Sequence, residues 1–80
     1  MDYDTDKIDQ TVLALLSLTL HDTTEFGGRA WKGHDWSVLN RLHEKGWISD
    51  PVSKSKSVVL TPEAIEESKR LFDQLFVNQE

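Results

Sequence analysis

Between Asp35 and Phe76 the chain spells out two helices and a strand pair, and this stretch constrains the fold more than any other. From Asp35 as N-cap, Trp36, Val38, Leu39, Leu42 and His43 share one arc of a helical wheel, and Ser37, Asn40, Arg41, Glu44 and Lys45 share the other. Gly46 takes the left-handed stop. Trp47-Ile48 starts a strand, Asp50-Pro51 turns, Lys54-Ser55-Lys56 lies near a hairpin tip, and Val58-Val59-Leu60 returns. Thr61 then caps a final helix with Pro62 at its first position and Glu63 in its first turn. Ala64, Ile65, Leu71, Phe72, Leu75 and Phe76 form its apolar stripe.

The N-terminal part predicts one more helix. From Ile8 to Leu20 the wheel is apolar over more than half its circumference, leaving a strip of Gln10, Ala14, Ser17 and His21. A helix so apolar needs cover on more than one side. In so small a chain, part of that cover is expected from another copy, in a homodimer or higher symmetric oligomer buried along the first and last helices at Val12, Leu16, Leu20, Phe72 and Phe76. Thr5 or Asp4 caps this helix, and Asp6 and Asp9 suit the dipole of its first turns. Thr23 to Gly33 reads as a glycine-bearing loop with a short strand at Arg29-Ala30-Trp31-Lys32. The expected fold is mainly α with a small β-hairpin (α+β): three helices plus a two- or three-stranded sheet in a single domain over 1–80, frayed at 1–4 and 78–80.

The order of elements from Asp35 to Phe76 resembles the C-terminal part of winged-helix regulators of the MarR and PadR kind. Gly46-Trp47-Ile48 matches the end of their recognition helix, and Leu60-Thr61-Pro62-Glu63 matches the opening of their dimerisation helix. The resemblance implies a winged-helix-like domain with a presenting helix and a basic wing. It lacks a helix ahead of the presenting one, because Asp22–His34 is glycine-rich. Over nearly its whole length the chain is similar to a small uncharacterised bacterial family, a domain of unknown function, through MDYDTDKID, LTLHD, RAWKG, LHEKG, ISDP and KSVVLT. That similarity implies no activity.

Eighty residues make a domain that buries only about 60% of its unfolded surface. With no cysteine, disulfides and thiolate metal sites are excluded. The acidic start is unlike a secretory signal, and the run from Val12 to Leu20 falls well short of the ~20 apolar residues of a membrane span. A soluble, cytoplasmic protein without a membrane contact is expected. The net charge of −5 is unevenly spread. Residues 29–60 carry six cations against three acids, whereas residues 1–28 carry one cation against six acids.

The candidate chemistry is sparse. Histidine stands beside an acid at His21-Asp22, His34-Asp35 and His43-Glu44, but sequence neighbours on a helix do not face one another, so no metal or other cofactor is expected. No GxxxxGK[ST] phosphate loop exists, and no serine has a nucleophile's context. The expected role is a non-enzymatic, self-associating interaction module, with DNA binding by a degenerate winged helix as the alternative. A protein partner is expected at Arg29, Trp31 and Lys32, since Trp and Arg favour interface hot spots. Nucleic acid, if bound, is expected at Arg41, Lys45, Lys54 and Lys56. Trp36 and Trp47 are expected to anchor the core.

Overall fold

A computed structural model describes residues 3–77. Its elements run α1 (Thr5–Leu16), β1 (His21–Thr24), β2 (Gly27–Trp31), α2 (Trp36–Glu44), β3 (Ser57–Leu60) and α3 (Pro62–Phe76). Three helices and one three-stranded antiparallel sheet give the α+β arrangement expected. The expected fraying at 1–2 and 78–80 lies outside the described residues. Asp4 is the N-cap of α1, where its carboxylate accepts from the Lys7 amide at 3.1 Å.

Helix α1 stops at Leu16, four residues before the apolar pattern does. Ser17 Oγ donates to the Ala14 carbonyl at 2.7 Å and Thr19 Oγ1 to that of Leu16, so hydroxyls compete for the carbonyls of the last turn. The chain tightens into a 3-10 turn at Ser17–Thr19 and leaves extended at Leu20.

The segment read as a glycine loop is a β-hairpin. β1 and β2 join through Glu25-Phe26, where the Phe26 amide donates to Thr24 Oγ1 at 3.1 Å. Gly27, at φ 135°, closes the turn. β1 pairs His21 with Arg29 and Thr24 with Gly27, and the register shifts between them, where Asp22 takes φ 50°. β2 is the central strand, and β3 pairs along it from Gly28↔Leu60 to Trp31↔Ser57.

The expected strand pair from Trp47 to Leu60 is much reduced. Ile48 makes a single bridge to Leu60, supported by Ser49 N–H to the Val59 carbonyl at 2.8 Å and Thr61 N–H to that of Trp47 at 3.2 Å. The principal partner of β3 is therefore β2, and the Trp47–Ser49 segment only touches its other edge.

The two capping expectations of the C-terminal half hold. Gly46, at φ 82°, ends α2 with the Gly46 amide on the His43 carbonyl and the Trp47 amide on that of Leu42, the paired bonds of a Schellman motif. Thr61 Oγ1 accepts from the Ala64 amide at 3.0 Å, and Pro62 opens α3.

The core lies between the helices and the inner face of the sheet. Leu13, Leu16, Leu39, Leu42, Val58, Leu60 and Leu71 fill it, with Val12, Leu20, Trp47, Ile65 and Phe72 packed at its margin. Gly28 lets the layers close, since a Cβ there would stand 3.2 Å from both Ile65 Cδ1 and Leu20 Cδ1. One expectation fails here: Trp36 is 55% exposed and anchors nothing. His43, on the same arc of α2, is exposed, its Nδ1 donating to the Ile48 carbonyl at 3.0 Å.

Candidate interaction face

The inner face of the sheet takes Ala30 from β2 and Val58 and Leu60 from β3, all fully buried. By strand alternation Arg29 and Trp31 of β2, and Ser57 and Val59 of β3, point the other way. A solvated sheet face ordinarily carries polar side chains. This one carries Trp31 at 50% exposure and Val59 at 39%, with Phe26 at 82% on the adjoining turn. Trp31 rests on the His21 ring of β1, centroids 5.3 Å apart, and His21 Nδ1 is anchored on the Thr19 carbonyl at 2.7 Å. Arg29 leans along the face, donating from Nη1 to Ser57 Oγ at 3.2 Å. Between the Arg29–Val59 row and the hairpin turn lies a shallow hollow of about 180 Å³, lined by Asp22, Thr24, Phe26, Gly27, Arg29 and Val59 among others.

The residues expected at a protein contact are thus divided. Arg29 and Trp31 share the open face, while Lys32 does not serve as a free cation. Its Nζ donates to the Pro51 carbonyl at 2.8 Å, the Ser53 carbonyl at 3.0 Å and Ser53 Oγ at 3.2 Å, which pins the irregular 49–56 segment to the end of β2.

The expected nucleic-acid set also divides. Arg41 and Lys45 face α1 and are engaged by the buried carboxylate of Asp9. Arg41 Nε and Nη2 reach it at 2.7–3.0 Å, and Lys45 Nζ reaches it at 3.0 Å. Lys45 also lies 3.8 Å from Asp6. The Arg41 hydrogen bonds hold the Asp9 carboxyl below its ordinary value of 3.8 against the opposing cost of burial, and Lys45 adds to the effect. The same contact raises Arg41 above its usual value. Lys54 and Lys56 are exposed on the irregular segment, with no acid within 4.0 Å among the described residues.

The expected self-association set needs one firm correction. Leu16 has no exposed surface and belongs to the core of the single chain. Val12, Leu20 and Phe72 are partly buried against that core, and Phe76 is 44% exposed with its ring edge-on to Phe72 at 5.2 Å. Ile8, Leu18, Leu75 and Val77 are also exposed on the helical side.

A cleft of about 200 Å³ opens between the three helices, lined by Asp6, Asp9, Leu13, Lys45, Trp47 and Glu67 among others. No cluster of three metal-ligating side chains occurs among the described residues, and no described helix is long and apolar enough to cross a membrane.

Comparison with known proteins gives the lineage. Residues 4–78 match the model of a domain of unknown function, DUF6429. A Sinorhizobium fredii protein, "Uncharacterized protein y4hR", is 57% identical over 76 residues, which is 95% of this chain and 97% of that protein. The chain belongs to the DUF6429 family. The whole described fold, from the Asp4 cap to the end of α3, falls inside the DUF6429 match. No solved structure matches the chain.

The sequence reading missed Asp9 as a buried anchor, and Phe26, His21, Asp22 and Val59 as members of the open face. The alternation of Arg29 and Trp31 was the available signal for that face. Asp9 had none, because its partners stand 32 and 36 residues away.

Proposed function

We propose that this DUF6429 protein is a non-enzymatic interaction module of the cytoplasm that works as a homodimer. The observation carrying this reading is the set of large apolar side chains left in solvent by a slab whose extents are 38 × 33 × 18 Å. Phe26, Trp31 and Val59 belong to the sheet side, and Ile8, Leu75, Phe76 and Val77 to the helical side. A non-enzymatic role is supported by the cleft between the helices, whose buried carboxylate is engaged by Arg41 and Lys45 rather than left available for chemistry.

Light scattering over a dilution series tests the proposal. A mass near twice the chain's 9.2 kDa at tens of micromolar, falling on dilution, is expected. A chain-sized mass at every concentration contradicts it.

Nucleic-acid binding is the second reading, favoured by one observation. Arg29, Lys54 and Lys56 lie on the sheet and its adjoining segment without an acid within 4.0 Å among the described residues. The centre of such binding then moves from α2 to the sheet.

A further inference from the structure

Two consecutive residues of β1 face the same way. Three steps of chain lead from His21 to Thr24, whereas their partners Arg29 and Gly27 stand two steps apart, so β1 carries one extra residue. The irregularity falls at Asp22, whose φ of 50° is the one positive value at a non-glycine among the described residues. His21 faces outward, since its ring meets that of Trp31. Thr23 faces inward, since a Cβ on Gly28 would meet Thr23 Cγ2 on the side that also holds Ile65 and Leu20. Regular alternation from His21 would send Asp22 inward as well. Instead Asp22 lines the outer hollow with Thr24, Phe26, Arg29 and Val59. Re-aiming a side chain is what a bulge does, and this one brings a carboxylate onto the face that already carries a guanidinium.

The hollow therefore holds two opposite charges that do not neutralise each other. No cation, Arg29 included, stands within 4.0 Å of the Asp22 carboxylate among the described residues. Arg29 donates from Nη1 to Ser57 Oγ, and its other nitrogens have no protein acceptor among the described residues. Phe26 and Val59, both exposed, give the same hollow an apolar wall.

From this we propose that the hollow binds a free α-amino acid with an apolar side chain. The ammonium of the ligand meets Asp22, its carboxylate meets Arg29 in a charge-assisted pair, and its side chain lies over Phe26 and Val59. A simple cation or anion would satisfy one of the two charges and face the other, whereas a zwitterion satisfies both. The volume, about 180 Å³, suits one molecule of this size and not a larger one. A hollow this shallow leaves one side of the ligand in water, so a dissociation constant in the millimolar range is expected. The site is built within one chain and does not depend on self-association.

Titration followed by amide resonances of the isotopically labelled protein tests the proposal. The probes are L-leucine, N-acetyl-L-leucine, which lacks the ammonium, and L-leucinamide, which lacks the carboxylate. L-leucine is expected to shift the Gly27, Gly28 and Arg29 amides saturably, and each derivative to bind about tenfold more weakly or worse. Asp22→Asn and Arg29→Met are expected to weaken L-leucine by a similar factor with circular dichroism unchanged. Asparagine suits the positive φ as aspartate does, so the first change removes charge without moving the bulge. Should either variant fail to fold, the two derivatives on the unmodified chain still decide. Absence of a saturable shift up to about 50 mM L-leucine overturns the proposal. Equal binding of either derivative also overturns it, because the hollow then reads a single charge or none.

Discussion

Asp9 and Arg41 are joined by three hydrogen bonds of 2.7–3.0 Å, and Asp9 is almost wholly removed from solvent. The contact clamps the first turns of α1 against α2 through a carboxylate whose partners are the cations Arg41 and Lys45. Removing one member of a buried pair strands its partner. Asp9→Ala is expected to cost about 2–3 kcal/mol, less than a fully enclosed pair because Arg41 and Lys45 keep contact with water. Urea unfolding at neutral pH measures this.

The same carboxylate sets an acid dependence. Asp9 has a folded value below its ordinary 3.8, so its contribution is fully present above that value. It is lost as pH falls through the lower folded value. Stability should therefore decline with acidification below about pH 5, and Asp9→Asn should flatten that decline while lowering stability at neutral pH. Urea titrations at stepped pH for both chains check the sign. A parallel decline in the two would assign the effect to other carboxylates.

Leu16→Glu is expected to unfold the chain rather than dissociate a dimer. Leu16 has no exposed surface, and a carboxylate there would be stripped of water inside the core. Phe76→Ser, at an exposed helix end, should keep the fold with a change of about 1 kcal/mol or less. Circular dichroism of the two separates core from surface.

Gly27→Ala tests the β2–β3 pairing. A Cβ at Gly27 would stand 2.3 Å from the Leu60 carbonyl oxygen, at a φ that L residues rarely adopt. Backbone has to move, so a loss above about 2 kcal/mol is expected. Gly46→Ala shares the positive φ but meets open space, and should cost only about 1 kcal/mol. Thermal melts of both variants make the comparison.

Much of the C-terminal half was legible because its signals are local. Gly46 stops a helix through its own backbone freedom, and Thr61-Pro62-Glu63 starts one within a single turn. β1 was not legible, since His21-Asp22-Thr23-Thr24 has no apolar alternation and owes its extension to pairing with β2. Trp36 misled because a wheel gives direction but not depth: as the first residue of α2 it projects past the core that Val38, Leu39 and Leu42 reach. The paired cations of α2 looked available because their acid lies on another helix. The candidate face was half visible, through Arg29 and Trp31, whereas Phe26, Asp22 and Val59 join it only once the hairpin and its register bring them there.

The three indole N–H resonances of the isotopically labelled protein, followed by dilution alongside the molar mass, test the proposed self-association most directly. Trp31 lies on the exposed sheet face, Trp36 on an exposed helix start and Trp47 against the core. The expected result is a molar mass that falls towards that of one chain on dilution, with a concentration-dependent shift or broadening of an exposed indole signal and Trp47 unchanged. A chain-sized mass with all three signals constant at every concentration would contradict it.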